Sequence, residues 1–241
     1  MPGARASRRA HLAIAPRLGI TLRMAMRNSS DMVVLLTGFG AFPGARTNPT
    51  MAIVAALGRS RRFALRGVRI EAAILPVVYA ATEREAARLI EQASPDLVVE
   101  LGLAARRRHV SVETRAVNRV SPLRPDAARR FSPATTVVAG GPAFRRSRWS
   151  APALVAAMRP AAPTRVSIDA GDYLCNQLLY LSLGMTPVPA GFIHVPRPRG
   201  RIPGRRVKWP RPSLLAVTRS VEAAILALCA GARRQIGRAH V

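Results

Sequence analysis

Two cysteines and four histidines occur in this chain of 241 residues, and one of each stands in a setting suited to nucleophilic chemistry. Cys175 lies in Gly171-Asp172-Tyr173-Leu174-Cys175-Asn176, between a β-like run at Arg165-Val166-Ser167-Ile168 and a helix-like stretch from Tyr173 to Leu183. That order places the thiol in the first turn of a helix, where unpaired N–H groups and the helix dipole favour a thiolate. Such a position can take a cysteine pKa from about 8.5 to between about 3.5 and 7.5, so a lowered value is the expectation here. His194 closes the apolar run Gly191-Phe192-Ile193-His194-Val195, which Pro196 stops. This reads as a buried strand that delivers an imidazole to a sheet edge. A thiol at a helix start and an imidazole at a strand end are the parts that thiol-dependent acyl transfer requires.

The other candidates carry less. Cys229 ends Ala223-Ala224-Ile225-Leu226-Ala227-Leu228-Cys229 and reads as a small buried hydrophobe in a helix interior. His11 and His240 lie in basic termini. His109 precedes the strand-like Val110-Ser111-Val112-Glu113 and shares a face with Glu113. Two such residues do not make a zinc site, and neither a metal nor a cofactor is expected.

The elements that must position Cys175 and His194 alternate in type. Val33-Val34-Leu35-Leu36-Thr37 is a continuous apolar run stopped by Gly38, as in a central parallel strand. Asn48 caps and Pro49 opens a helix to about Leu57. A strand at Val68–Leu75, a helix over Thr82–Gln92 and a strand at Asp96–Leu101 follow. Residues 119–149 are loop-rich; then come a helix near 151–158, the segment carrying Cys175 and His194, an irregular Pro- and Arg-rich stretch over 196–212, and a closing helix from Ser213 to Cys229. Strands alternating with helices predict a single three-layer α/β/α domain around a mostly parallel, twisted sheet. It is assigned to residues 32–230, with 231–241 as a basic tail. Residues 1–31 are read as a basic extension, either disordered or upstream of a true start at Met32.

Composition narrows the classes. An apolar content of 49% excludes global disorder. Two cysteines make no disulfide framework and point to a reducing, cytoplasmic setting. No uninterrupted apolar stretch reaches the roughly 20 residues of a membrane span, so no membrane partner is expected. The formal charge is +26, carried almost wholly by arginine, since Lys208 is the sole lysine. Those arginines are scattered, without aromatic residues interleaved as a stacking platform. Nonspecific polyanion binding is therefore the most this charge implies. Thr37-Gly38-Phe39-Gly40-Ala41-Phe42-Pro43-Gly44 has a G-x-G after a strand, but lacks a third glycine and any lysine for phosphate. An apolar ligand wall fits it better.

Several segments occur together in one order: Gly38-Phe39-Gly40-Ala41-Phe42, Thr47-Asn48-Pro49, Leu101-Gly102-Leu103-Ala104, Glu113 with Ala116-Val117-Asn118, Pro125-Asp126, Gly140-Gly141-Pro142-Ala143, and the Cys175 and His194 blocks. In this the chain resembles the pyroglutamyl peptidase I (pyrrolidone-carboxylate peptidase) family of cysteine exopeptidases over about 32–200. The resemblance implies a triad of Cys175 as nucleophile, His194 as base and then acid, and Glu113 as the group that orients the imidazole. It implies peptides with an N-terminal pyroglutamate as substrates, a thioester intermediate, and Phe39, Phe42, Asn48 and Arg124 as substrate-binding residues. Association into dimers or tetramers is a further implication. Two departures stand out. Leu123 occupies the place where the family has an oxyanion-holding arginine, with Arg124 beside it, and the interval from Cys175 to His194 is short. The alternative expectation is a catalytically weakened homologue whose basic surface binds acidic partners or nucleic acid.

Overall fold

The computed structural model describes residues 31–199 and 211–239. Residues 1–30 and 200–210, which hold most of the expected extension and part of the Pro- and Arg-rich stretch, lie outside the described residues. Eight strands and six helices are described, in the order β1 (Met32–Phe39), α1 (Pro49–Gly58), α2 (Arg61–Ala64), β2 (Val68–Leu75), α3 (Tyr79–Ala93), β3 (Leu97–Leu103), β4 (Val110–Glu113), β5 (Arg115–Val117), β6 (Phe144–Arg146), α4 (Ala151–Met158), β7 (Thr164–Ser167), α5 (Leu174–Met185), β8 (Ala190–Val195) and α6 (Leu214–Ala239).

Six strands form one sheet in the order β2-β1-β3-β8-β4-β7, while β5 and β6 pair separately as a small antiparallel ribbon. Every neighbouring pair in the large sheet is parallel except β4 with β8. The apolar runs of β1 and β3 follow from this position: a central parallel strand is covered on both faces and has no side to leave polar. Helices α1, α2, α4 and α6 cover one face, where Ile53, Leu57, Phe63, Leu154, Met158, Val221 and Ile225 meet Val34, Leu36, Val99 and Ile193. Helices α3 and α5 cover the other, where Ala86, Ile90, Leu174 and Leu178 meet Leu35, Val98 and Phe192. This is the expected three-layer α/β/α architecture.

Local chemistry explains the entry to α1. Asn48 has extended backbone and its side-chain oxygen accepts from the Thr50 N–H at 3.1 Å, with Pro49 at the first helical position. One expectation is corrected at the C-terminal end. The closing helix does not stop at Cys229 but runs to Ala239, so most of the segment set apart as a tail is helical. The helix is also long and apolar enough over Leu214–Gln235 to pass as a membrane span by length and composition, although charged residues such as Arg219 and Glu222 interrupt it. Its apolar stripe of Val217, Val221, Ala224, Ile225 and Cys229 instead packs on the sheet. Cys229 is buried there as a core side chain.

Candidate active site

Strand alternation decides which side chains can meet. On β8, Phe192 and His194 point to the α3/α5 face, and on the antiparallel neighbour β4 so do Ser111 and Glu113; the register pairs Ser111 with His194 and Glu113 with Phe192. Glu113 and His194 are therefore diagonal neighbours, and Nδ1 of His194 lies 2.8 Å from Oε1 of Glu113. The imidazole stacks at a tilt on Phe192, with ring centroids 4.8 Å apart. Glu113 is wholly buried, and a charge at such depth requires a counter-charge. Arg107 supplies it, donating from Nη1 to the same Oε1 at 2.6 Å and from Nη2 to the Asp169 carbonyl at 2.8 Å. The second arginine hydrogen bond ties the loop after β3 to the loop that leads into α5.

Cys175 enters from α5. The helix begins at Leu174 with Tyr173 as an N-cap that makes no side-chain capping bond, so the first-turn N–H groups are not spoken for by a cap. The sulfur packs against Gly102 of β3: a Cβ built there would fall 2.6 Å from Sγ and 2.6 Å from Cζ of Phe192. Gly102 is the register partner of His194, so only a residue without a side chain lets thiol and imidazole strand adjoin. Asn176, the next residue, is fully buried; its side chain accepts from the Val117 N–H at 2.8 Å and donates to the Val117 and Arg119 carbonyls. It fixes β5 against the start of α5.

The expected direction of the thiol pKa is reversed. Burial, with the charge of Glu113 and, once it ionises, of Glu100 adding to it, pushes the Cys175 thiol up to about 12. The helix-start N–H and Arg107 act in the opposite direction but are outweighed. These surroundings favour the neutral thiol over the thiolate, so attack calls for a base.

A pocket opens beside the sulfur, lined by Phe39, Phe42, Asn48, Val77, Leu103, Tyr173, Leu174 and Cys175. It sits at the C-terminal ends of β1 and β3, neighbouring strands whose onward connections run in opposite directions, β1 to β2 and β3 to β4, the place where open α/β sheets bind ligands. Phe39 and Phe42 form one wall, as the sequence implies for them. Asn48 also lines it, but its amide is engaged at both ends, donating to the Gly40 carbonyl at 3.0 Å and accepting from Thr50. It holds the phenylalanine loop in shape. Tyr173 meets Tyr79 edge-on at 5.6 Å and donates to the Pro125 carbonyl. Arg124 is not part of the lining: its side chain is largely exposed and pairs with Asp172 at 3.4 Å. Leu123 is 83% exposed, so its side chain is not turned into the pocket either. A larger cavity of about 480 Å³ lies elsewhere, between α4 and α6 around Trp149 and Arg234, away from the thiol.

Sequence reasoning missed Arg107, Gly102, Asn176, Val77, Leu103 and Tyr173. For Gly102 and Asn176 a signal was present, in the Gly after β3 and the Asn after the cysteine. Arg107 stands in a run of three arginines, and nothing in that run marks the one that turns inward.

Comparison with known proteins agrees with this geometry. The family model for pyroglutamyl peptidase (peptidase C15) matches residues 32–233. A pyrrolidone-carboxylate peptidase from Chromobacterium violaceum is 35% identical over 164 residues, covering 68% of this chain and 77% of its own. One from Escherichia fergusonii is 33% identical over 201 residues, covering 80% and 91%. Among solved structures, a mutant pyrrolidone carboxyl peptidase from Pyrococcus furiosus superposes with a TM-score of 0.73 at 30% identity, over 81% of this chain and 97% of that one. The chain therefore belongs to the pyroglutamyl peptidase family of cysteine peptidases.

Proposed function

We propose that the chain hydrolyses the N-terminal pyroglutamyl residue from peptides through Cys175, His194 and Glu113. The observation that carries this reading is the buried Glu113–His194 contact, on the strand that pairs with the glycine against which the Cys175 sulfur packs, next to an apolar pocket. A pyroglutamyl ring is a small neutral lactam. Phe39 and Phe42 offer it an apolar wall, and a pocket without a free charged group rejects an ionised α-amino terminus, because that charge would be desolvated unpaired.

In this mechanism His194 takes the thiol proton as the sulfur attacks the pyroglutamyl carbonyl carbon. Glu113 holds the Nδ1–H tautomer and stabilises the imidazolium, and Arg107 holds the Glu113 carboxyl in place. The oxyanion lies against the Cys175 N–H at the start of α5. The tetrahedral species collapses as His194 returns its proton to the departing amine nitrogen, which leaves as the shortened peptide. His194 then draws a proton from water, whose oxygen attacks the thioester; pyroglutamate is released and the thiol re-formed. Both exposed Leu123 and solvent-facing Arg124 lie away from this oxyanion, so the backbone carries it. A catalytic free thiol supports a reducing, cytoplasmic location. Assembly into dimers or tetramers is part of the proposal and is read directly from the mass of the protein in solution.

The test is release of a fluorescent amine from a pyroglutamyl amide under reducing conditions, compared with Cys175→Ala. Turnover lost in the variant is the expected result. No turnover by a folded wild-type chain would favour the weakened homologue with a basic binding surface.

A further inference from the structure

Glu100 is a buried ionisable group that the mechanism above does not use. It lies on β3 with 1% of its surface exposed, in register with Thr37 of β1 and Phe192 of β8. Ser182 of α5 donates to its Oε1 at 2.5 Å, while Oε2 has no partner, and neither does the Thr37 hydroxyl on the same face. Among the described residues it forms no ion pair: Ser182 of α5 is its side-chain partner, Thr37 of β1 and Phe192 of β8 flank it in the sheet, and His194, Glu113 and Arg107 lie further along the same face. A carboxylate in that enclosure would be desolvated with one oxygen unsatisfied, so the neutral acid is the form that fits. Burial pushes the Glu100 pKa up to about 8, against the opposing pull of the Ser182 hydrogen bond.

Its distance from the chemistry follows from the strand. Glu100 and Gly102 are two residues apart, on one face, with Cα atoms about 7 Å apart. Gly102 is the residue that the Cys175 sulfur touches. We propose that Glu100 is a positioning residue for the thiol: neutral, it leaves Cys175 free to become a thiolate, and ionised, it suppresses that thiolate and closes the site in mild alkali. The proposal rests on Cys175 being the nucleophile. The charge of Glu100 acts against the Cys175 thiolate, and two like charges about 10 Å apart at an effective dielectric of about 20 shift such an equilibrium by about one decade.

The experiment follows two readouts from pH 6.5 to 10 in wild type and Glu100→Gln, each expressed as a ratio to the same protein at pH 7. One is alkylation of Cys175 by iodoacetamide, located by peptide mass spectrometry so that buried Cys229 is not counted. The other is kcat/KM on a pyroglutamyl amide. The expected result is that alkylation of Glu100→Gln outpaces wild type by about tenfold between pH 7 and 9.5, with the wild-type fall in kcat/KM absent from the variant. Ser182→Ala, which removes the hydrogen bond favouring the ionised acid, moves the wild-type fall to higher pH and serves if Glu100→Gln does not fold. An alkylation ratio that stays flat overturns the proposal, whatever the turnover. A rising ratio with no pyroglutamyl turnover supports the role of Glu100 at the thiol and removes the substrate reading instead.

Discussion

The two faces of the central sheet are buried to the same depth and built from different chemistry. Between the sheet and α1, α2, α4 and α6 the contacts are mostly hydrocarbon, with the hydroxyls of Thr50, Thr164 and Ser220 and the Trp149 indole N–H as polar guests; the carboxylate of Glu222 pairs with Arg62 at the edge. Between the sheet and α3 and α5, in contrast, the same strands turn inward Thr37, Glu100, Ser111, Glu113 and His194. Several of those groups have an atom without a partner: the Thr37 and Ser111 hydroxyls, Oε2 of Glu100 and Oε2 of Glu113. Each unsatisfied buried polar atom costs about 1–3 kcal/mol. The comparison teaches where this fold puts its stability and where it gives some up. The apolar face holds the sheet together, and the polar face accepts desolvated groups to aim a thiol, an imidazole and a carboxylate at one point.

That division makes graded predictions. The largest effect is expected at Glu113→Gln, which leaves Arg107 and His194 without their shared acceptor charge. We expect kcat/KM on a pyroglutamyl amide to fall by about 10³–10⁴-fold with the fold retained, checked by steady-state kinetics beside circular dichroism. On the apolar face the pattern inverts. Ile225→Ala empties a fully buried site and is expected to cost about 2–5 kcal/mol in urea unfolding, with kcat/KM per folded molecule unchanged. If that variant lost activity without losing stability, the two faces would not be separable as argued.

Gly102→Ala sits where the faces of the argument join. The added methyl meets both Sγ and the Phe192 ring, so the thiol is displaced; kcat is expected to fall by about 10²-fold. Gradual and pH-dependent is the effect of Glu100 on stability. Its folded pKa, near 8, lies above the usual 4.5, so the folded state keeps a proton that the unfolded chain releases. The contribution is fully present below about pH 4.5, falls by about 1.4 kcal/mol per pH unit as pH rises toward 8, and levels off above it. Glu100→Gln should remove that slope from a series of unfolding curves against pH. The smallest change is expected at Arg124→Ala, whose exposed pair with Asp172 is worth at most about 1 kcal/mol. A large loss of kcat there would return Arg124 to the oxyanion.

Much of the fold could be read from residues alone, because its signals are local. The apolar run at Val33–Leu36, the Asn48-Pro49 start and the helix at 151–158 all correspond to elements in place. The antiparallel direction of β4 could not be read, since four alternating residues carry no direction. Nor could the extent of α6, whose last turns are polar and look like a tail. At the site, Cys175 and His194 were marked by their position at element ends, whereas Glu113 was marked only by the family resemblance, since by itself it reads as a strand-edge surface residue. The thiol pKa went the other way because a helix start was judged by its dipole alone. In the folded chain the same turn is pressed beneath a sheet beside two carboxyl groups. Glu100 was hidden for a related reason: one acidic residue within Leu97–Leu103 looks like the polar edge of a strand, and only the docking of α5 buries it. What stays illegible depends on which segments pack together, and single segments do not carry that.

The measurement that bears most directly on the central claim is covalent labelling with a pyroglutamyl halomethyl ketone, mapped by peptide mass spectrometry and followed alongside turnover. The account predicts one label per chain, on Cys175, formed more slowly when free pyroglutamate is present, with turnover falling in step. Label on Cys229 or on a residue away from the Phe39–Phe42 pocket, or a fully labelled Cys175 in an enzyme that still turns over, would contradict it.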